Sequence, residues 1–144
     1  MAEVNLSRTI LVRANLSEAN LSGASLWRTD FCKASLVQAQ CSHALLIRAN
    51  LNRANLYKSI LNGAEMRLAS LVGADLQGAD LSGANLSYAD LTGANLMGAD
   101  LTDTIFTGAN LSSTNLSSTN LDKAILEGAD FDQATFPDLE MADY

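Results

Sequence analysis

Ala74-Asp75-Leu76-Gln77-Gly78-Ala79-Asp80-Leu81-Ser82-Gly83-Ala84-Asn85-Leu86 restates itself every five residues. Extended in both directions, the register places a large apolar residue at every fifth position from Leu6 to Phe136. Of these 27 positions, 21 are Leu; the others are Phe31, Cys41, Met66, Phe106, Phe131 and Phe136. Two residues earlier, from Val4 to Ala134, 20 of 27 positions are Ala. The exceptions there are all small: Val4, Ser59, Thr9, Thr29, Thr104, Thr114 and Thr119. The phase never slips, so one array spans residues 4–138 and leaves 139–144 as a tail.

A period of five belongs to neither standard element. On a helix at about 100° per residue the Leu set would smear around every side. On a flat strand, successive Leu would face opposite ways. A chain that turns a corner after each five residues, always in the same sense, keeps every Leu and Ala inward. It coils into a solenoid whose coils stack at strand spacing, about 4.8 Å. All nine Gly fall two residues after the central Leu or Phe. A turn needing positive φ at that place selects them.

Tandem Ala-(Asp/Asn)-Leu-x-x resembles the pentapeptide repeat proteins, and the resemblance covers residues 4–138. It implies an all-β fold, a right-handed quadrilateral parallel β-helix with four pentapeptides per coil. Residues 4–138 then make a little under seven coils, a rod roughly 30 Å long at the stacking rise. The central residue and the one two before it point inward, and the other three point out. The resemblance also implies a non-enzymatic scaffold or regulatory protein–protein interaction module. Some members bind DNA gyrase as duplex mimics and protect it from quinolones, and others act in cyanobacterial regulation.

Composition narrows the setting. Hydrophobic residues are 48% of the 144 and the net charge is −7, which argues against disorder. No apolar run approaches the ~18 residues of a membrane span. Glu3, Arg8, Arg13 and Glu18 interrupt any signal-peptide core. Two Cys do not make a disulfide scaffold. Cys41 falls in an inward column between Leu21 and Leu61, while Cys32 is outward, so no bridge between them is expected. The default expectation is a cytoplasmic protein with reduced thiols.

Signals for catalysis dissolve into the repeat. Gly73 and Gly78 have phosphate-loop spacing, but Ala79 and Asp80 follow where Lys and Ser/Thr are required. His43 is the only His, at an outward corner, with no second His or matched carboxylate for a metal site or triad. The outward Ser and Thr mix over all faces, so they read as solvation rather than an ice-binding lattice. The calcium-binding nonapeptide pattern of other β-helices is absent. A filled rod with short turns offers no cleft. No cofactor, metal or catalytic residue is expected, and the chain does not read as an enzyme.

Charge is the informative feature. Residues 1–72 carry eight basic and four acidic groups, net +4; residues 73–144 carry Lys123 against twelve acids, net −11. With twenty residues per coil, Arg8, Arg28 and Arg48 stack in one column and Arg13, Lys33 and Arg53 in the next. Like charges one coil apart repel by about 1 kcal/mol even at water's dielectric. Trp27, Leu45, Ile47 and Leu68 are outward and apolar on the face of the first column. Arg beside Trp and aliphatic groups has the composition of a binding hot spot. The expectation is a face that docks an unknown, acidic protein partner. The negative net charge argues against nucleic acid as that partner. The alternative is a DNA-mimicking gyrase or topoisomerase modulator, with Asp80, Asp100, Asp103 and Asp122 as its acidic face. The first coil (Leu6, Leu11, Leu16, Leu21) and the last (Leu121, Leu126, Phe131, Phe136) each have one unpaired side. Self-association through coil ends is therefore also expected, with Pro137, Leu139 and Met141 placed to cover the last coil.

Overall fold

Each pentapeptide is one extended residue step and one tight turn in the computed structural model, which describes residues 4–137. The turn closes on itself: the Thr29 N–H donates to the Leu26 carbonyl at 3.1 Å, and the Ala79 N–H to that of Leu76 at 3.0 Å. Its third residue takes positive φ, the type II arrangement. Four such corners return the chain to its starting side after twenty residues. The residue before each central position then pairs in parallel with its counterpart one coil on, from Asn5 with Ser25 to Asn115 with Thr135, Asp100 alone excepted. We number the coils from residues 4–23 as coil 1 to the partial coil 7, which begins at residue 124.

The backbone N–H groups explain the residue pattern. A buried or sheet-bound N–H must find an acceptor. Take the pentapeptide around Leu76. The Ala74 N–H closes the preceding turn on the Leu71 carbonyl. The Asp75 N–H donates back one coil to the Ala54 carbonyl, at 3.0 Å. The Leu76 and Gly78 N–H groups donate forward one coil, to Asn95 at 2.7 Å and Met97 at 3.0 Å. That leaves the Gln77 N–H, which donates to the Asp75 carboxylate at 3.1 Å. The preference for Asn or Asp before the central residue is thus an Asx turn built into the coil. The same cap recurs from Asn5, whose side chain takes the Ser7 N–H, to Asp130, which takes that of Asp132.

The interior consists of the expected columns. From coil 2 to coil 6 the Leu, Phe, Met and Ala positions are almost entirely removed from solvent. Thr29 and Thr104 sit in Ala columns because each hydroxyl donates to a main-chain carbonyl, of Leu6 and Leu81, at 2.8 Å. Ser59 is buried in the same kind of column, and its hydroxyl has no partner. Cys41 is buried and Cys32 half-buried, and both are free thiols. Burial pushes the Cys41 thiol pKa up to about 12. The end coils lose cover on one side: Leu6, Leu11 and Leu16 become half-buried, Ile10 is 77% exposed and Phe136 49%. Leu139 and Met141, expected over the last coil, lie outside the described residues.

Candidate functional site

The cations of coils 1–3 all stand at one structural position. Arg8, Arg13, Arg28, Lys33, Arg48, Arg53 and Lys58 are each the positive-φ residue of their turn, with φ between 52° and 60°. In this left-handed region a side chain costs on the order of 1 kcal/mol relative to Gly. β-Branched residues suffer most there, and no Val, Ile or Thr occupies any such corner between Arg8 and Gln133. Coils 4 and 5 use Gly at most of these corners: Gly73, Gly78, Gly83, Gly93 and Gly98. The N-terminal coils therefore hold long cations in a conformation that the next coils assign to Gly.

The structure brings part of the predicted face into contact. The guanidinium carbons of Arg8 and Arg28 lie 4.6 and 4.7 Å from the centroid of the Trp27 ring. Each such contact contributes roughly 0.5–1 kcal/mol at an exposed site. Trp27 thus draws two like charges toward one half-buried ring and offsets the repulsion expected of stacked Arg. Arg48 continues that column one coil on, exposed, beside the half-buried Ile47. Leu45 and Leu68 are 41% and 48% exposed. Coil 4 closes the patch with an ion pair between the exposed Arg67 and the half-buried Glu65, Nε to Oε2 at 3.2 Å. Arg13, Lys33 and Arg53 line the neighbouring corner, all exposed, and the stem of Arg53 lies over Gly73.

One feature of this face escaped the sequence. The pentapeptides around Leu11 and Leu46 carry Ile10 and Leu45 where 16 of the 27 carry Asn or Asp; Ile60, Ile105 and Ile125 make the same replacement elsewhere on the rod. No side-chain oxygen stands there to take the following N–H. Among the described residues, the Val12 and Ile47 N–H groups have no hydrogen-bond acceptor. They sit immediately before Arg13 and Arg48, so each cation has an open main-chain donor beside it.

The acidic residues are placed differently. Asp80 takes the Ser82 N–H at 3.0 Å and the Ser82 hydroxyl at 2.6 Å. Asp100 takes the Thr102 N–H at 3.0 Å. Hydrogen bonds from the Thr102 side chain, then its backbone, hold the Asp100 carboxyl below its ordinary pKa. These two carboxylates are caps of their own turns as well as surface charges. Asp103 is an exposed corner residue with φ 55°, and Asp122 is an exposed residue of coil 6.

Beside them the coil ladder opens. Every bridging position from Asn5 to Asn115 pairs with its counterpart except Asp100, which does not pair with Asn120. Lys123 is the one corner between Arg8 and Gln133 without positive φ. The step leaves a shallow surface depression of about 210 Å³, lined by Thr102, Asn120, Asp122 and Lys123. Among the described residues, no group of three or more His, Cys, Asp or Glu is arranged to hold a metal ion.

A family model described as pentapeptide repeats matches in eight copies, over residues 1–36, 34–71, 64–103 and 106–138. No curated protein matches at a significant level. Among solved structures, HetL from the cyanobacterium Nostoc sp. strain PCC 7120 is a pentapeptide repeat protein involved in heterocyst differentiation regulation. It is 32% identical, with a TM-score of 0.48 over 90% of this chain and 73% of its own. Rfr23 from the cyanobacterium Cyanothece 51142 is 34% identical, with a TM-score of 0.37 over 71% and 63%. A trypsin-treated form of QnrB1, a plasmid-mediated fluoroquinolone resistance protein, is 26% identical, with a TM-score of 0.39 over 87% and 70%.

Proposed function

Because this chain belongs to the pentapeptide repeat family and has its right-handed quadrilateral β-helix, we propose that it is a rigid, non-enzymatic interaction module. Its working surface is the N-terminal face of Arg8, Arg28, Arg48, Arg13, Lys33 and Arg53 with Trp27, Leu45 and Ile47, and its partner is an acidic protein. One observation carries this reading. Long cations occupy seven of the twelve left-handed corners in coils 1–3, whereas Gly, which suits the position better, takes five of eight in coils 4 and 5 and the Arg8–Arg28–Arg48 column continues as Leu68 and Tyr88. Strain held at a surface position is a pointer toward function. The Arg8–Trp27–Arg28 stack supplies a preorganised aromatic anchor, and the remaining cations steer approach.

The test compares wild type with a Trp27→Ser, Arg28→Gly, Arg48→Gly variant in partner capture from the native host at several salt concentrations. Gly at both corners removes strain, so the variant should melt no lower than Trp27→Ser alone. Partner capture should be lost in the variant, and in wild type it should weaken as the Debye length shortens. Unchanged capture by the variant would refute the face. Inhibition of gyrase supercoiling that persists in the variant would move the function to the acidic coils instead.

A further inference from the structure

Resting on that basic face, we infer that the docking segment of the partner is a short acidic amphipathic α-helix lying along the rod over coils 1–4. The spacing of the corners that carry the cations selects the helix. The corners of Arg8, Arg28 and Arg48 span two coil rises, about 9.6 Å at strand spacing, with the first two guanidiniums gathered on Trp27. Carboxylates on one stripe of a helix recur about every 5.4 Å, so two turns cover about 10.8 Å. Carboxylates on one side of an extended strand recur about every 6.6 Å, so two periods cover about 13 Å. Arg side chains splay readily by an ångström, and a helix stays within that reach over three coils. A strand drifts out of register by most of a coil.

The charge distribution limits the length. After Arg67 in coil 4 the rod is acidic, with Asp75 and Asp80 on the other faces of coil 4 and Asp90, Asp100 and Asp103 in coil 5, against no base until Lys123. A long polyanion laid on the N-terminal coils would run into that repulsion. Four coils span three rises, roughly 14 Å, which is about ten residues of helix. Duplex nucleic acid, with charge every ~1.7 Å of axis over any length, does not meet that limit.

The apolar residues orient the helix. Leu45 and the half-buried Ile47 lie beside the Arg8–Arg28–Arg48 column and Leu68 continues it one coil on, so the partner's apolar stripe falls next to its acidic one, as on an amphipathic helix. The open N–H of Ile47 beside Arg48 gives one carboxylate a main-chain donor together with a guanidinium. Arg13, Lys33 and Arg53 on the next corner face the helix's other flank and favour one placement over its reverse.

Two synthetic peptides of identical composition test this, each stapled or substituted to hold its conformation. In one, Glu recurs at i, i+4 and i+7 of a helix with Leu on the adjoining stripe; in the other, Glu alternates along a strand. Trp27 is the only Trp, so its fluorescence reports occupancy of the face. The helical peptide is expected to bind wild type at low salt at least tenfold more tightly than the strand isomer. It should bind the Arg28→Gly, Arg48→Gly variant at least tenfold more weakly than wild type. Equal binding of both peptides, lost in the variant, overturns the helix while leaving the basic face standing. Binding that the variant retains overturns the face itself. A short DNA duplex binding more tightly than the helical peptide, or no binding by either peptide, also overturns the inference.

Discussion

The imidazole of His43 lies over the α-carbon of Gly63, its counterpart one coil further on. A β-carbon at Gly63 would run into that ring, whereas at Gly83 it would meet nothing within 4 Å. Both glycines have φ of 64°, so the backbone strain of a side chain is common to the two. Gly83→Ala is expected to cost about 1 kcal/mol. Gly63→Ala should cost more, and the difference should disappear in a His43→Ala background. Urea unfolding of the four variants measures each term; an unchanged difference without His43 would show that the ring is not its cause.

Ser59 offers a stabilising substitution. Its hydroxyl is buried in an Ala column with no acceptor or donor in reach. Leaving such a group unpaired costs roughly 1–3 kcal/mol. Ser59→Ala should raise the melting temperature. Thr104→Ala, in an equivalent column, should lower it, because it deletes the 2.8 Å bond to Leu81. Shifts of the same sign in both would mean that hydroxyl pairing does not decide these positions.

Inward and outward positions should differ sharply under charge. Leu76 is fully buried, and Gln77, its neighbour, is a half-buried residue of the turn outside the core. Leu76→Asp places an unpaired carboxylate among columns of Leu and Ala, and local or complete unfolding is expected. Gln77→Asp should stay within about 0.5 kcal/mol of wild type. Circular dichroism melting curves that coincide for the two would contradict the five-residue register.

Cys41 makes stability fall at alkaline pH. Burial raises its folded-state pKa to about 12, above the ordinary thiol value of 9.0. The contribution is fully present below pH 9, because both states then hold the proton. Above that, the unfolded chain releases a proton that the folded chain keeps, and stability declines by up to about 1.4 kcal/mol per pH unit. Cys41→Ala should show a flatter profile between pH 9 and 11 than wild type. In native protein at pH 8, thiol reagents should modify Cys32 much faster than Cys41.

How far the sequence reaches is clear at particular residues. The five-residue register by itself determined a solenoid, its inward columns and the opposite placement of Cys32 and Cys41, while the four-sided coil was implied by the resemblance to the pentapeptide repeat proteins. A period incommensurate with helix and strand has only one way to keep Leu and Ala dry. That resemblance also implied which cations stack, because four corners of five residues make a twenty-residue coil. The reason for Asn and Asp before each central residue was present in the same pattern, but it emerges only when every N–H is assigned an acceptor. Other features were decided by tertiary structure. Arg8 and Trp27 are nineteen residues apart, and only stacked coils put a guanidinium over the ring. Ser59 and Thr29 look alike in an Ala column, yet only the packed geometry gives one hydroxyl a carbonyl and leaves the other without. The opening between Asp100 and Asn120 leaves no mark in the repeat, since it depends on how one corner, at Lys123, departs from the φ that its equivalents adopt. Periodicity specifies which way each side chain points; what it meets there depends on the neighbouring coil.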